Sequence, residues 1–236
     1  LRTGKIDLMF NLDWKHVADL KKTNPQLQWS KKLFTNGWML ALRMDTKPFD
    51  DIRVRRALNL AVNKQEIINS LYGGDGELVN FPFPKTFTSV YTPIEKLPPT
   101  AQELFTYNPE KAKKLLTEAG YPNGFTFKAQ ISNTPQLHVD LATMVVAYLA
   151  KVGVKVELET MDYPSWLSKM TKKVHSPGFF YSTDHGNPFA TIRKCFLSGQ
   201  TWNPFMMNDE HVDKTWKTTV ENANLTDQEA FEEMRK

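Results

Sequence analysis

Apolar residues recur at spacings of three and four through Val54, Ala57, Leu58, Ala61 and Val62, which predicts a helix with one buried stripe. Asp51, just ahead of it, can cap the free backbone N–H groups. Asn63 restarts the count. With Glu66 three residues later it makes a capping-box-like start for a helix over Gln65 to Leu71, and Gly73 and Gly74 end it. A third stripe, Ala112, Leu115, Leu116 and Ala119, follows Asn108-Pro109-Glu110, where Asn suits the cap, Pro the first helical position and Glu the positive dipole end. Phe125, Phe127, Ala129 and Ile131 then alternate with polar residues as in a half-buried strand. Leu137, Leu141, Val145, Tyr148, Leu149 and Val152 form a helix face over four turns, Gly153 stops it, and Val154 to Leu158 is the next strand. Strand, helix and strand make a βαβ unit with its two strands parallel.

Elsewhere the pattern is shorter-ranged. It predicts a strand over Lys5 to Phe10, a helix over Trp14 to Lys22, and strands near Leu27 to Phe34 and Trp38 to Arg43, with Asn36-Gly37 as a hairpin signal between the last two. Gly73 to Thr106 holds Pro82, Pro84, Pro93, Pro98 and Pro99 with little periodicity, so it reads as an extended connector packed on the sheet. A helix around Pro164 to Lys173, a strand at Gly178 to Ser182, a turn at Asp184 to Pro188 and a helix near Phe189 to Leu197 come next. Asp209 and Asp227 are candidate caps for two last helices. The fold class is α/β, a mixed sheet flanked by helices, with the strands of residues 36–43, 125–131 and 154–158 in one sheet whose interior face carries Phe125 and Phe127.

Composition narrows the function more than the fold. The 236 residues are 41% hydrophobic, enough for one full core, and we expect a single domain over 1–236. Aromatics reach 12%, with six Trp, as suits a protein that grips ligands by apolar faces. One cysteine, Cys195, excludes an internal disulfide framework and any multi-cysteine metal site. A net charge of +4 is spread among acids, which reads as a mixed solvated surface and gives no nucleic-acid footprint. No run of about 18 apolar residues is present. His16, His138, His175, His185 and His211 show no helical zinc spacing, and no phosphate loop, nucleophile elbow or paired-carboxylate motif occurs. These readings give no catalytic residue, metal or cofactor.

Two segments also resemble a known family. Pro48-Phe49-Asp50-Asp51-Ile52-Arg53-Val54-Arg55-Arg56-Ala57-Leu58-Asn59-Leu60-Ala61-Val62-Asn63-Lys64 and Asn108 to Phe125 are similar to the two signatures of the family 5 solute-binding proteins, the dipeptide and oligopeptide receptors of bacterial ABC importers. An Asp usual in that family is Asn63 here, which keeps the capping role. Leu1-Arg2-Thr3-Gly4-Lys5-Ile6-Asp7 resembles the point where such chains cross into their second lobe. The resemblance implies one lobe of the periplasmic-binding-protein type II class, cut near both interlobe crossovers. It further implies a small-molecule ligand, most directly a di- or oligopeptide, held against an absent first lobe and delivered to an ABC permease. The location implied is periplasmic or otherwise extracytoplasmic, with lipid anchoring through an N-terminus preceding this stretch.

Within it, Tyr181-Ser182-Thr183-Asp184-His185-Gly186-Asn187-Pro188 resembles the family's W-x-x-D-x-x-x-P, in which the aspartate can pair with a ligand's α-ammonium group. Asp184 closes a strand, where α/β sheets place ligand sites, and it can equally cap a helix starting at Pro188 or order the turn. Tyr181 stands where Trp is frequent, and Trp166 falls in a segment similar to one whose aromatic lines the pocket. Each is otherwise a core residue. The ligand-binding candidates are therefore Asp184, Tyr181 and Trp166. An Arg that peptide receptors use just before the motif is missing from Val174 to Gly178, which leaves receptors for oligosaccharides, nickel complexes or amines open. An enzyme using Asp184 and His185 is disfavoured because adjacent strand residues face opposite ways. A basic interaction module is the remaining reading.

Overall fold

The computed structural model describes residues 7–10, 12–33, 37–79, 83–88, 90–183, 187–221, 225–226, 229–230 and 232–233. Its strands are β1 (Gly37–Leu42), β2 (Thr126–Ser132), β3 (Lys155–Met161) and β4 (Gly178–Thr183). Its helices are α1 (Val17–Thr23), α2 (Ile52–Leu60), α3 (Lys64–Tyr72), α4 (Pro99–Gln102), α5 (Pro109–Glu118), α6 (Gln136–Ala150), α7 (Tyr163–Thr171), α8 (Pro188–Phe196) and α9 (Glu210–Trp216). The sheet order is β1-β4-β2-β3. β2 runs parallel to β3 and to β4, while β1 is antiparallel to β4 with Trp38 opposite Ser182. The expected mixed sheet and the parallel pair around α6 are both present.

Local chemistry explains why these segments are helices. Asp51 accepts from the Arg53 N–H at 2.7 Å, and Asn63 accepts from the Glu66 N–H at 3.1 Å. Gly73 leaves α3 at φ +60°. Val54, Ala57 and Leu58 from α2 and its C-cap Ala61 are buried with Ala112 and Leu116 of α5, Leu141, Val145 and Leu149 of α6, and Phe127, Ala129 and Ile131 of β2. This is the main core, on one face of the sheet. The opposite face carries a second cluster of Ala41, Trp166, Met170, Phe179, Tyr181 and Cys195, supplied by β1, β4, α7 and α8. Consecutive Phe179 and Phe180 are both buried, as a strand covered on both faces requires.

Two expectations are corrected. No strand forms over 27–33, and Asn36 lies outside the described residues; among the described residues the ladder partner of β1 is β4. Trp29 and Leu33 of that segment are exposed, so neither is held on a buried face. Residues 7–10 likewise form no strand, with Leu8, Met9 and Phe10 exposed. At the far end Asp227 lies outside the described residues, and it is Thr226 that bonds reciprocally with Glu229, through Glu229 N–H to Oγ1 and Thr226 N–H to Oε2.

The connector over 73–106 is tied to α2 and to the start of α3. Lys64 Nζ donates to the carbonyls of Asn59 at 2.9 Å and Leu104 at 3.1 Å, Asn59 Nδ2 donates to Leu104 at 3.0 Å, and Arg56 pairs with Glu103 at 2.9 Å. Burial pushes the Lys64 ammonium down to about 8. It meets the sheet where Val79 sits so close to Gly37 that a Cβ there would be 2.8 Å away.

Candidate functional site

The carboxyl ends of β2, β3 and β4 lie together, and the connections that leave them diverge. α6 follows β2 onto the main-core face, whereas α7 follows β3, and α8 follows β4, onto the other. By the general rule for open α/β sheets, such a divergence at the strand ends is where the ligand crevice lies. The N-termini of α6, α7 and α8 all begin there. Asp162 caps α7, accepting from the Ser165 N–H at 2.9 Å and the Ser165 hydroxyl at 2.8 Å, and these bonds hold its carboxyl below the usual range. Asn187 caps α8, accepting from the Ala190 N–H at 2.8 Å.

The two aromatic candidates are brought together. Trp166 lies one turn into α7 and Tyr181 near the end of β4, with ring centroids 6.3 Å apart and planes 19° apart. Trp166 also stacks on Phe179 at 4.9 Å, and its indole N–H donates to the Phe180 carbonyl at 3.3 Å. Both side chains are buried, Trp166 at 6% and Tyr181 at 2% exposure, and burial pushes the Tyr181 phenol up. The ring offered to solvent is Tyr163, 52% exposed, which stacks on Trp166 at 5.5 Å. Tyr163, Trp166 and Phe179 thus form a column running from the crevice into the second cluster. Asp184 lies outside the described residues; β4 ends immediately before it.

Sequence reasoning missed a second pair. Trp38, at the start of β1, and His138, in the first turn of α6, approach to 3.7 Å between ring centroids. Both are half-buried at the strand ends, and burial pushes the imidazole down to about 4, so it is neutral at pH 7. The available signal was position: His138 follows a strand by six residues and opens a helix. The Arg missing before the motif has a neighbour in space, since Arg43 reaches the segment before β4. Its donors are already engaged, by Asp45 at 3.0 and 2.7 Å and by the carbonyls of Lys173 and His175 at 2.9 and 3.1 Å. Among the described residues no cluster of His, Cys, Asp and Glu can hold a metal ion, and no helix is long and apolar enough to cross a membrane.

The chain as a whole is similar to known proteins in sequence and in fold. Over 199 residues the chain is 34% identical to heme-binding protein A of Haemophilus influenzae, covering 80% of this chain and 34% of that protein. It is 33% identical over 177 residues to the dipeptide-binding protein of Escherichia coli K12, covering 71% of this chain and 31% of the other. The structure of the periplasmic binding protein DppA of Helicobacter pylori in complex with the peptide STSA superposes with a TM-score of 0.81 at 26% identity, over 100% of this chain and 45% of that one. The chain therefore spans about a third of these curated relatives and under half of that solved structure. The profile described as "Bacterial extracellular solute-binding proteins, family 5 Middle" matches residues 1–201, and the chain belongs to that family.

Proposed function

We propose that this chain is the second lobe of an ABC-importer receptor, a single domain over 1–236 that closes on a first lobe around a small solute, most directly a di- or oligopeptide. The observation that carries the reading is the divergence of the connections at the carboxyl ends of β2, β3 and β4, with an aromatic column from Tyr163 to Trp166 at one side and Trp38 with His138 at the other. Flat rings bind varied side chains without strict shape selection, and closure of two lobes buries most of a small ligand. In this reading the Asp184 carboxylate, with its charge next to β4, pairs with a ligand ammonium group, while Trp166 and Tyr181 stiffen the wall behind it. Asn187 fills the helix-cap role that the sequence left open for Asp184, which supports a ligand role. Similar proteins are named for peptides and heme, and none of these names a catalyst; binding without catalysis is the role we assign. Solute capture of this kind places the receptor outside the cytoplasm, and a lipid anchor on the full-length protein is the corresponding attachment.

One observation favours a second ligand class. Val174 to Gly178, the segment before β4, contains no Arg, and nearby Arg43 is engaged by Asp45 and by backbone carbonyls at the end of β4 away from the crevice. An amine, a nickel complex or an oligosaccharide fits that arrangement. Native mass spectrometry of the full-length receptor, purified with whatever it carries, separates the two: a bound peptide mass supports the first reading, and a bound sugar, amine or metal complex replaces it with the second.

A further inference from the structure

The opposite end of the sheet holds a buried histidine with one nitrogen unused. His175, in the turn between α7 and β4, is 3% exposed, and its Nε2 lies 2.9 Å from the Pro204 carbonyl. A carbonyl only accepts, so Nε2 carries the hydrogen and Nδ1 is the bare lone pair. Nδ1 is buried with no hydrogen-bond partner. The bond joins this turn to the stretch 197–207, which is wound about the buried Asn203: Nδ2 donates to the carbonyls of Leu197 and Met207 at 3.2 and 2.9 Å, and Oδ1 accepts from the N–H groups of Phe205 and Met207 at 3.1 and 3.3 Å.

A second tie runs beside it. Lys173, at φ +60°, donates through Nζ to the carbonyls of Gln200, Thr201 and Asn203 at 2.5, 2.8 and 2.9 Å. The charged groups facing His175 are Arg43 and Lys173, both cations, and Asp45, which Arg43 already neutralises. On its own β4 side the neighbour is Phe179, with ring centroids at 5.0 Å, and the adjacent Ser176 N–H goes to Gln130 at 3.0 Å. Residues 197–207 carry no ionisable side chain. A proton on Nδ1 would therefore create a buried donor without an acceptor and a third cation with no anion to spare.

We propose that His175 is an acid-sensitive latch: its protonation releases the 197–207 stretch from the α7–β4 turn. The consequence reaches the aromatic wall. Phe205 of this stretch stacks on Phe196 at 6.2 Å with planes 2° apart, and Phe196, Trp202 and Phe205 pack on the cluster that contains Trp166 and Tyr181. Opening the latch uncovers the back of that cluster. The geometry stands whether or not the crevice takes a peptide.

The test is hydrogen exchange on the full-length protein at pH 7.5 and 5.0, corrected for intrinsic rates, comparing the Met44 amide, which donates across to the Phe205 carbonyl of the stretch at 2.8 Å, with the amides of β2. If opening requires protonation of a histidine that titrates near 6.5 once released, the opening constant rises by up to about 30-fold over this interval. We expect a loss of protection of at least about tenfold at Met44, whose bond to the stretch the opening breaks, with β2 unchanged. His175→Gln, which can still donate to Pro204 but cannot titrate, should abolish the pH dependence. Uniform loss across β2 and Met44 in wild-type protein, or equal protection at the two pH values, would overturn the latch even if the variant does not fold. An unaltered pH dependence in a folded His175→Gln protein would overturn it as well.

Discussion

Gly124 and Gly153, from the turns that enter β2 and β3, pass so closely that a Cβ on Gly124 would lie 1.9 Å from the Gly153 carbonyl oxygen. Both have positive φ, +72° and +84°. The contact sits beside the bond from the Lys155 N–H to the Phe125 carbonyl at 2.9 Å, so it fixes where the parallel pair begins. Gly124→Ala adds left-handed strain to this overlap and should cost about 2–4 kcal/mol. Urea denaturation measures it, and an unchanged midpoint would contradict the close approach.

Phe127 holds the same pair together from the core side. It is 6% exposed and meets Phe49 edge-on at 4.9 Å. Phe127→Ala should destabilise by about 3–5 kcal/mol. A melting temperature equal to that of the wild type would remove β2 from the main core.

His138 should titrate near 4, as its burial against Trp38 dictates. A folded-state value below the ordinary 6.5 means the unfolded chain takes up the proton first. The stability contribution is therefore complete above about pH 6.5, declines as the pH falls towards 4, and changes no further below that. An NMR titration of the imidazole reads it directly. A midpoint at 6.5 would mean that the ring is solvated and not packed on the indole.

The helices were legible because their signals are local. Asp51, Asn63 and Asn108 each accept the expected backbone N–H, and the stripes beginning at Val54 and Ala112 are buried. Strand pairing is different. Whether β1 joins its chain neighbour or β4, some 140 residues later, depends on which segment covers an apolar face, and Asn36-Gly37 contains no such information. The aromatic candidates show a related limit. Sequence placed Trp166 and Tyr181 near a strand end, but their depth follows from α7 lying on the second face of the sheet, which leaves Tyr163 as the exposed ring. Trp38 and His138 come from segments 100 residues apart, and no spacing rule connects them.

The role of the strand end after β4 is tested most directly by calorimetric titration of the full-length receptor and its Asp184→Asn variant. The titrant is the cognate solute identified by mass spectrometry, with a thermal melt of each protein alongside. For a ligand with a free amino terminus, removing the carboxylate strands a buried ammonium group and should weaken binding by about 2–5 kcal/mol. The melt should hardly move, since Asn187 is the residue that caps α8. Equal affinities of wild type and Asp184→Asn for such a ligand would contradict the proposed site.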